Sequence, residues 1–576
     1  VRPVVVIVAA LAGAGLLVGA GLVVTNASHR ACSGPTTKIT AVASPGEFQA
    51  LDTVARQWTA TGSSVDGRCA GASVVLKDSS QAAAALGPSW DPARDGPRPD
   101  VWVPDSSLWL NVAATRPDGR SLLPESTTST ASSPIVLAVR QPVMQALGWP
   151  NRALGWDEVL GAFFTPDTFP KIGHPEWASL RMGMTDPTVS TAGLASALAL
   201  LDRDANGELS DAEISASVVF SSSLGAMAPD TTTFFNEQHN SSADATSVSV
   251  AAFPAIERDV ASYDASSPSV QLVPVYTKQN PVNADFPYAI LKASWVDGHR
   301  RAVAEAFLRY VLSPAGQRTL AADGFRDPTG NSARTAHLTG DLGFQGAIGT
   351  PRKNPNTTAV SAIITAWTGL ERGVNILAVV DTSGSMKQPV PGTSLSRLQL
   401  LQQTAITGFN LMTAQTKIGL WQFSTNLTPT TDYRELVPYG PLNETINGVP
   451  RVKALVGAVS SLQAGGDTAL YDTAYAAWKA AQARWLPNAT NAVLLITDGK
   501  NDNPKGGMTL EQVVQRLTQE AQPDKPTNII GIAVGPEADA NALQQLSQAT
   551  GGRTFVARDA ATAVQTLVLA FAGRVH

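Results

Sequence analysis

Charge is scarce in this chain of 576 residues: 15% are Asp, Glu, Lys or Arg, while 44% are hydrophobic. The 42 basic and 47 acidic residues nearly cancel, leaving −5, and no basic tract interrupts the sequence. That excludes the electrostatic footprint of a nucleic-acid binder. Histidine is also rare, and His174, His239 and His299 are scattered with no metal-ligand spacing; they read as surface or core residues. Cysteine is nearly absent. Cys32 and Cys69 each stand a few residues ahead of an expected strand, Lys38 to Val42 and Ser73 to Leu76. Adjacent parallel strands would bring their starts together, so a disulfide is expected, stabilising by roughly 3 to 4 kcal/mol on the chain-entropy model. It requires an oxidising compartment; the alternative is a pair of reduced structural thiols. The length exceeds one core and predicts about three or four lobes of an ordered protein.

One long apolar run is present at the N-terminal end. Val4 to Val24 carries no charge and is long enough to cross ~30 Å of hydrocarbon as a helix. Arg2 precedes it and His29, Arg30 and Lys38 follow, so flanking charge does not orient it and its terminal position is the better guide. The run is longer than a signal-peptide core, and Asn26-Ala27-Ser28 is a poor cleavage box, which favours an uncleaved anchor over a cleaved signal. His29-Arg30-Ala31 before Cys32 does not resemble a lipoprotein box. Residues 1–28 are therefore read as a transmembrane anchor or signal, giving a single-pass cell-membrane protein with the bulk of the chain extracellular.

From Lys38 onward short apolar runs alternate with helical patterns: Ile39 to Val42, a helix Gly46 to Ala60, Ser73 to Leu76, a helix Ser79 to Leu86, Asp100 to Val103. Strands alternating with helices imply α/β layers. Pro134 to Val139 is a further strand, Phe286 to Leu291 one that returns, and Arg300 to Leu312 a strong helix. This stretch resembles the extracellular solute-binding proteins of the molybdate and sulfate binder type. The resemblance rests on Ser44-Pro-Gly46, Pro99-Asp-Val-Trp102, Leu154-Gly-Trp-Asp-Glu-Val-Leu160, Thr185-Asp-Pro187 through Gly193, and Leu312-Ser-Pro-Ala-Gly-Gln317 before Gly324-Phe325-Arg326. It implies a two-lobed domain over residues 32–340, with lobe I about 36–133 and 287–340 and lobe II about 134–286, closing over a ligand by hinge motion. It further implies a small solute or oxyanion held by Ser44, Ser133 and Thr191, with Asp105 and Glu257 as neighbours. Each such Ser or Thr is by default a helix cap.

Residues 341–372 are rich in Gly, Pro and Asn and read as a linker with a short helix, Ala359 to Trp367. Beyond them the strands Ile376 to Val380, Ile418 to Phe423, Ala492 to Ile496, Ile529 to Val534 and Thr554 to Ala557 are apolar on both faces. Six helical segments, from Leu395–Leu411 to Ala560–Ala572, separate or follow them. Residues 373–576 are thus expected to form a doubly wound, Rossmann-like domain with ligands at the carboxyl ends of its strands. Asp381-Thr-Ser383-Gly-Ser385 falls at such an end, with Thr468 in Gly466-Asp-Thr468 and Asp498 in Thr497-Asp498-Gly499 on later loops. These residues resemble the metal-ion-dependent adhesion site of von Willebrand factor type A domains. The resemblance implies Mg²⁺ or Mn²⁺ held by Ser383 and Ser385, with Thr468 direct or through water, and Asp381 and Asp498 mainly holding waters. Hydroxyl ligands satisfy such an ion without neutralising it, so the remaining position favours an Asp or Glu carboxylate from a protein partner. No nucleophile stands beside a base in this constellation, which argues against a hydrolase and for a non-enzyme.

A second metal pattern lies in Asp202-Arg-Asp204-Ala-Asn206-Gly207-Glu208-Leu-Ser210-Asp-Ala-Glu213, which matches the calcium-loop pattern at every specified position. Asp202, Asp204, Asn206, Glu208 through its carbonyl, and Glu213 are the candidate Ca²⁺ ligands, with Ser210 acting through water. The plain alternative is an acidic turn capped by Ser210. Taken together, the sequence reads as a membrane-anchored extracellular binding protein that couples a solute-binding-like module to a metal-dependent adhesion module. The alternative reading is an accessory solute-binding component of a transport system.

Overall fold

The computed structural model describes residues 32–557 apart from 202–209, 211–212, 214–223, 243, 278–281, 333–337, 349–354, 372, 391–392, 413–415 and 536–537. The proposed anchor 1–28, the ligands Asp202, Asp204, Asn206 and Glu208, and the expected helix Ala560 to Ala572 therefore lie outside the described residues. Among the described residues no helix is long and apolar enough to cross a membrane.

Two sheets build the first domain. In lobe I the strand order is Ser64–Val65, Arg68–Leu76, Thr36–Ala43, Val101–Val103, Pro287–Ile290, Thr128–Ser129. Thr36–Ala43 runs parallel to both Arg68–Leu76 and Val101–Val103, and the register sets Thr36 opposite Cys69. The disulfide Cys32–Cys69 closes at that end, as the parallel pairing requires. Lobe II is ordered Leu272–Val275, Ser133–Arg140, Val250–Ile256, Arg181–Thr185, Ala226–Ala228, with Asn283–Ala284 also on Ser133–Arg140. Alternation along its central strand sends Ile135, Leu137 and Val139 to one core and Val136 and Ala138 to another, the period-two division of a sheet covered on both faces.

The chain crosses between the lobes twice in extended stretches, from Thr128–Ser129 to Ser133–Arg140 and back from Asn283–Ala284 to Pro287–Ile290. A further tie follows. Ser132 and Arg326 exchange backbone hydrogen bonds at 3.0 Å in both directions. Beyond it Leu338, Leu342, Phe344 and Ile348 pack against the second core of lobe II. The stretch 341–372, read as a linker, is thus in part a packed arm, and its helix is longer than expected, Thr357–Glu371. Gly, Pro and Asn report turn chemistry; whether the turns are covered depends on apolar residues spaced too widely to register as a pattern.

The last domain is a six-stranded sheet ordered Tyr433–Pro441, Lys417–Phe423, Gly373–Asp381, Ala489–Thr497, Asn528–Val534, Thr554–Ala557. All neighbours are parallel except the antiparallel edge strand Tyr433–Pro441. Ile376, Ala378 and Val380 enter the core beneath Arg397–Leu411 and Arg451–Ser460, while Leu377 and Val379 enter the one beneath Leu470–Gln482 and Leu510–Glu520. The fold class is α/β in both domains, with the last one doubly wound.

Candidate metal centre and solute cleft

Gly373–Asp381 and Ala489–Thr497 are neighbours in register, with Val380 opposite Ile496. Asp381 and the Thr497-Asp498 pair therefore end side by side at the carboxyl edge of the sheet. Asp381 is fully buried; one oxygen accepts from the Ser383 amide at 2.7 Å and the other from the Thr497 hydroxyl. Burial pushes its carboxyl up to about 6 against the pull of those hydrogen bonds, and the charge of Asp498 adds to the rise. A cation beside it would reverse that penalty.

The loops meet through backbone bonds. Gly384 N donates to Gly466 O at 2.8 Å, Gly465 N to Thr382 O at 2.8 Å, and Thr425 N to Asp467 O at 2.9 Å. Gly466 sits at φ +80°, and a Cβ there would lie 2.4 Å from the Ser424 hydroxyl, so only glycine fits this approach. Thr468 comes close to the same point: a Cβ on Gly499 would lie 3.3 Å from Thr468 Oγ1 and 3.5 Å from Ser385 Oγ. Ser385 donates to Asp498 Oδ1 at 2.7 Å, and the Ser383 and Ser385 hydroxyls are 3.0 Å apart. Oxygens about 2.1 Å from an octahedral ion and adjacent to one another lie about 3.0 Å apart. The two hydroxyls thus already have the separation of neighbouring ligands, and the donor set fits a hard divalent cation. All five residues named from the sequence converge. One that sequence reading missed is Arg397, the first residue of its helix, whose Nη1 donates to Asp498 Oδ2 at 2.8 Å. No spacing signal links positions 397 and 498.

Between the lobes lies a cavity of about 450 Å³. Of the five solute residues expected, Asp105 and Thr191 line it, whereas Ser44, Ser133 and Glu257 are fully buried and do not. Ser133 accepts from the Arg258 amide at 3.0 Å, and Glu257 is paired with Arg326. Thr191 joins the lobes: Trp109 Nε1 donates to its hydroxyl at 2.7 Å, and the hydroxyl donates to Asp105 Oδ2 at 2.9 Å. Asp78, Asp230 and Asp259 add three more carboxylates to the lining, against one guanidinium, Arg258, already paired with Asp259 and Asp323. Desolvation by burial raises Asp105 to about 6 and moves Asp259 upward. Asp78 and Asp230 cap their own helices, accepting from Ser80 N at 2.9 Å and Thr233 N at 3.2 Å. The helix amides that would suit an oxyanion are occupied there. Phe235 and Tyr263, also in the lining, stack with ring centroids 5.4 Å apart.

At the candidate calcium loop, Ser210 and Glu213 are described. Ser210 N and Oγ both donate to Glu213 Oε2, at 2.9 and 2.7 Å, and Glu213 N donates back to Ser210 Oγ. The two residues thus hydrogen-bond to each other reciprocally. Among the described residues no group of three or more His, Cys, Asp or Glu forms a metal cluster; the candidate centre around Asp381 is built largely of hydroxyls.

The family model described as bacterial extracellular solute-binding protein matches residues 39–326, and that of the von Willebrand factor type A domain matches residues 375–569. Two uncharacterised proteins of Mycobacterium tuberculosis, from strains CDC 1551 / Oshkosh and ATCC 25618 / H37Rv, are each 25% identical over 557 residues, 94% of this chain and 79% of theirs. Among solved structures, a von Willebrand factor type A protein from Catenulispora acidiphila is 20% identical with a TM-score of 0.26, covering 35% of this chain and 42% of that one. A periplasmic thiamin binding protein is 11% identical with a TM-score of 0.40, covering 58% of this chain and 96% of that one. This chain thus spans less than half of the Catenulispora structure. Both matched domains are of binding rather than catalytic type.

Proposed function

The chain belongs to the bacterial extracellular solute-binding protein family, and on that premise we propose that it is a membrane-anchored extracellular protein that binds a partner protein through a divalent cation in its second domain. The observation that carries this reading is the 3.0 Å separation of the Ser383 and Ser385 hydroxyls, with Asp381 and Asp498 placed behind them. Ser383, Ser385 and Thr468 would hold Mg²⁺ or Mn²⁺, and Asp381 and Asp498 would orient its waters. The bound ion supplies an electrophilic position for an Asp or Glu carboxylate of the partner. The chain's own contribution is a rigid set of oxygens carrying little charge, which leaves the ion attractive to an outside anion. Affinity capture from a membrane extract, with and without chelator and with Asp381→Ala, tests it. Partners lost under both treatments support the reading; capture unchanged under both overturns it.

The cleft of the first domain receives a small solute. Four carboxylates against one ion-paired guanidinium favour a cationic solute over the oxyanion implied by family resemblance. Phe235 and Tyr263 offer a ring surface for such a cation. A thermal-shift screen with organic cations, sugars, peptides, molybdate and sulfate separates the solutes, and a large rise with one of them would favour the alternative role, an accessory solute-binding component of a transport system.

A further inference from the structure

The helix Thr357–Glu371 lies on the connection from the first domain to the second, and it is not a free spacer. Ala359, Val360, Ile363 and Trp367 form one buried stripe at helical spacing. Val360, Ile363 and Trp367 belong to the same core as Leu108, Trp109 and Ala113 of the helix Ser107–Ala114 and Leu194, Ala195 and Leu198 of the helix Thr191–Leu201. The first of those helices follows a lobe I strand, the second a lobe II strand, and Thr357–Glu371 packs on both. Its start is pinned to lobe I: Asn111 Nδ2 donates to Pro355 O at 2.8 Å, and Thr357 Oγ1 to Asn111 Oδ1 at 3.3 Å. Its end is separated by a single residue from Gly373–Asp381, the central strand that delivers Asp381 to the metal centre.

The seam it covers is the one the cleft uses. Asp105 precedes Ser107–Ala114 and Thr191 opens Thr191–Leu201, and these two residues, hydrogen-bonded to each other across the lobes, line the cavity. Close-packed side chains fit one relative arrangement of two supports well and others poorly. A lobe rotation that shifts one helix past the other therefore has to strain or release the helix lying over both. Release frees a rod about 22 Å long whose far end is the root of the metal-site sheet.

We infer that Thr357–Glu371 is a strap that reports the relative position of the two lobes to the metal-binding domain, so that solute occupancy and the presentation of the metal site regulate each other. The effect is reciprocal, since whatever holds the strap down also favours one lobe arrangement. The regulatory half rests on the cleft being the solute site; the mechanical half does not.

The mechanical half is tested without any solute, on the full chain. Dyes are placed on introduced cysteines at exposed Ala60 in lobe I and Lys171 in lobe II, and in a second pair at Lys171 and Ser460 of the last domain. Single-molecule energy transfer is compared between the parent, Ile363→Ala/Trp367→Ala, the milder Asn111→Ala, and Thr365→Ala on the exposed face of the helix. The expected result is an interlobe distance distribution about twofold broader in the first two variants, a matching spread in the second pair, and no change with Thr365→Ala. Circular dichroism checks that each variant is folded; should the double variant unfold, Asn111→Ala decides. Distributions identical to the parent in every folded strap variant overturn the inference. Broadening that no probe of the screen described above can narrow upholds the strap and removes its solute-dependent role, so failure of the cleft reading and failure of the strap are told apart.

Discussion

Arg397 and Asp498 meet inside the second domain, Nη1 to Oδ2 at 2.8 Å, with both side chains almost wholly shielded from water. The two oxygens of Asp498 are thereby divided, one accepting from Ser385 in the loop Asp381 to Ser385 and the other from a fixed positive charge. A guanidinium so placed offsets the charge of the carboxylate and would reduce the pull of the candidate metal centre on a cation.

Replacing that charge separates the two effects. Arg397→Met is expected to destabilise the chelator-treated protein by about 3 to 5 kcal/mol, because it leaves a buried carboxylate short of its partner. It is also expected to make Mg²⁺ more stabilising than in the parent. Thermal unfolding with chelator and across a Mg²⁺ titration reads both, and a Mg²⁺ response equal to the parent's would rule out a tuning role for Arg397.

Gly466 holds the loop that presents Thr468. With φ at +80° and the Ser424 hydroxyl in the way of a Cβ, Gly466→Ala must shift that loop. The expected outcome is loss of most Mg²⁺-dependent stabilisation with far-UV circular dichroism retained. Calorimetric Mg²⁺ binding indistinguishable from the parent would contradict the placement of Thr468 at the ion.

Glu257 and Arg326 form a two-point pair, Nε to Oε2 and Nη2 to Oε1 both at 2.7 Å, with neither side chain exposed. Glu257 opens a lobe II helix, and Arg326 sits on the backbone tie to Ser132. Glu257→Gln leaves the guanidinium buried without its counter-charge and should cost about 3 to 5 kcal/mol in urea denaturation. The double variant Glu257→Gln/Arg326→Met should recover much of that loss; additive losses would mean the two residues act separately.

Glu47 sets a pH dependence. It is fully buried, and desolvation raises its carboxyl to about 8 despite the Thr130 hydroxyl bonded to Oε1 at 2.7 Å; the nearby Asp105 charge adds to the rise. Between the ordinary carboxylate range and about 8 the folded state keeps a proton that the unfolded state has released. Stability therefore falls as pH rises through that window, by up to about 1.4 kcal/mol per pH unit from this group. Glu47→Gln should remove that slope, so its stability relative to the parent grows from pH 5 to pH 8. Parallel unfolding curves for the two proteins over that range would contradict a protonated Glu47.

Much of this architecture could be read before the fold was known. The strand Thr554–Ala557 and the helix Leu510–Glu520 fall where the apolar runs and the helical period put them. The convergence of the five candidate metal-site residues is legible because they stand on short loops at strand ends, and their spacing survives in the chain. Tyr433–Pro441 was not legible: it is an edge strand with mixed exposure, interrupted by Pro438 and Gly440, so it carries no continuous apolar run. Its place is held by pairing with Lys417–Phe423 and by Tyr433 stacked on Trp421, with centroids 4.6 Å apart.

Local pattern alone determined the α/β class and the hydroxyl-rich loop Asp381 to Ser385, because each depends on residues near one another or on a repeated periodicity; the disulfide left reduced thiols as an alternative until Thr36–Ala43 and Arg68–Leu76 were seen to pair in parallel. Tertiary structure decided the rest. It set Arg397 against Asp498, gathered carboxylates from four separate segments into one cleft, buried Ser44, Ser133 and Glu257 away from it, and laid Thr357–Glu371 across the seam between the lobes. Those contacts join positions far apart in the chain, and no periodicity in a single sequence encodes which distant surfaces will meet.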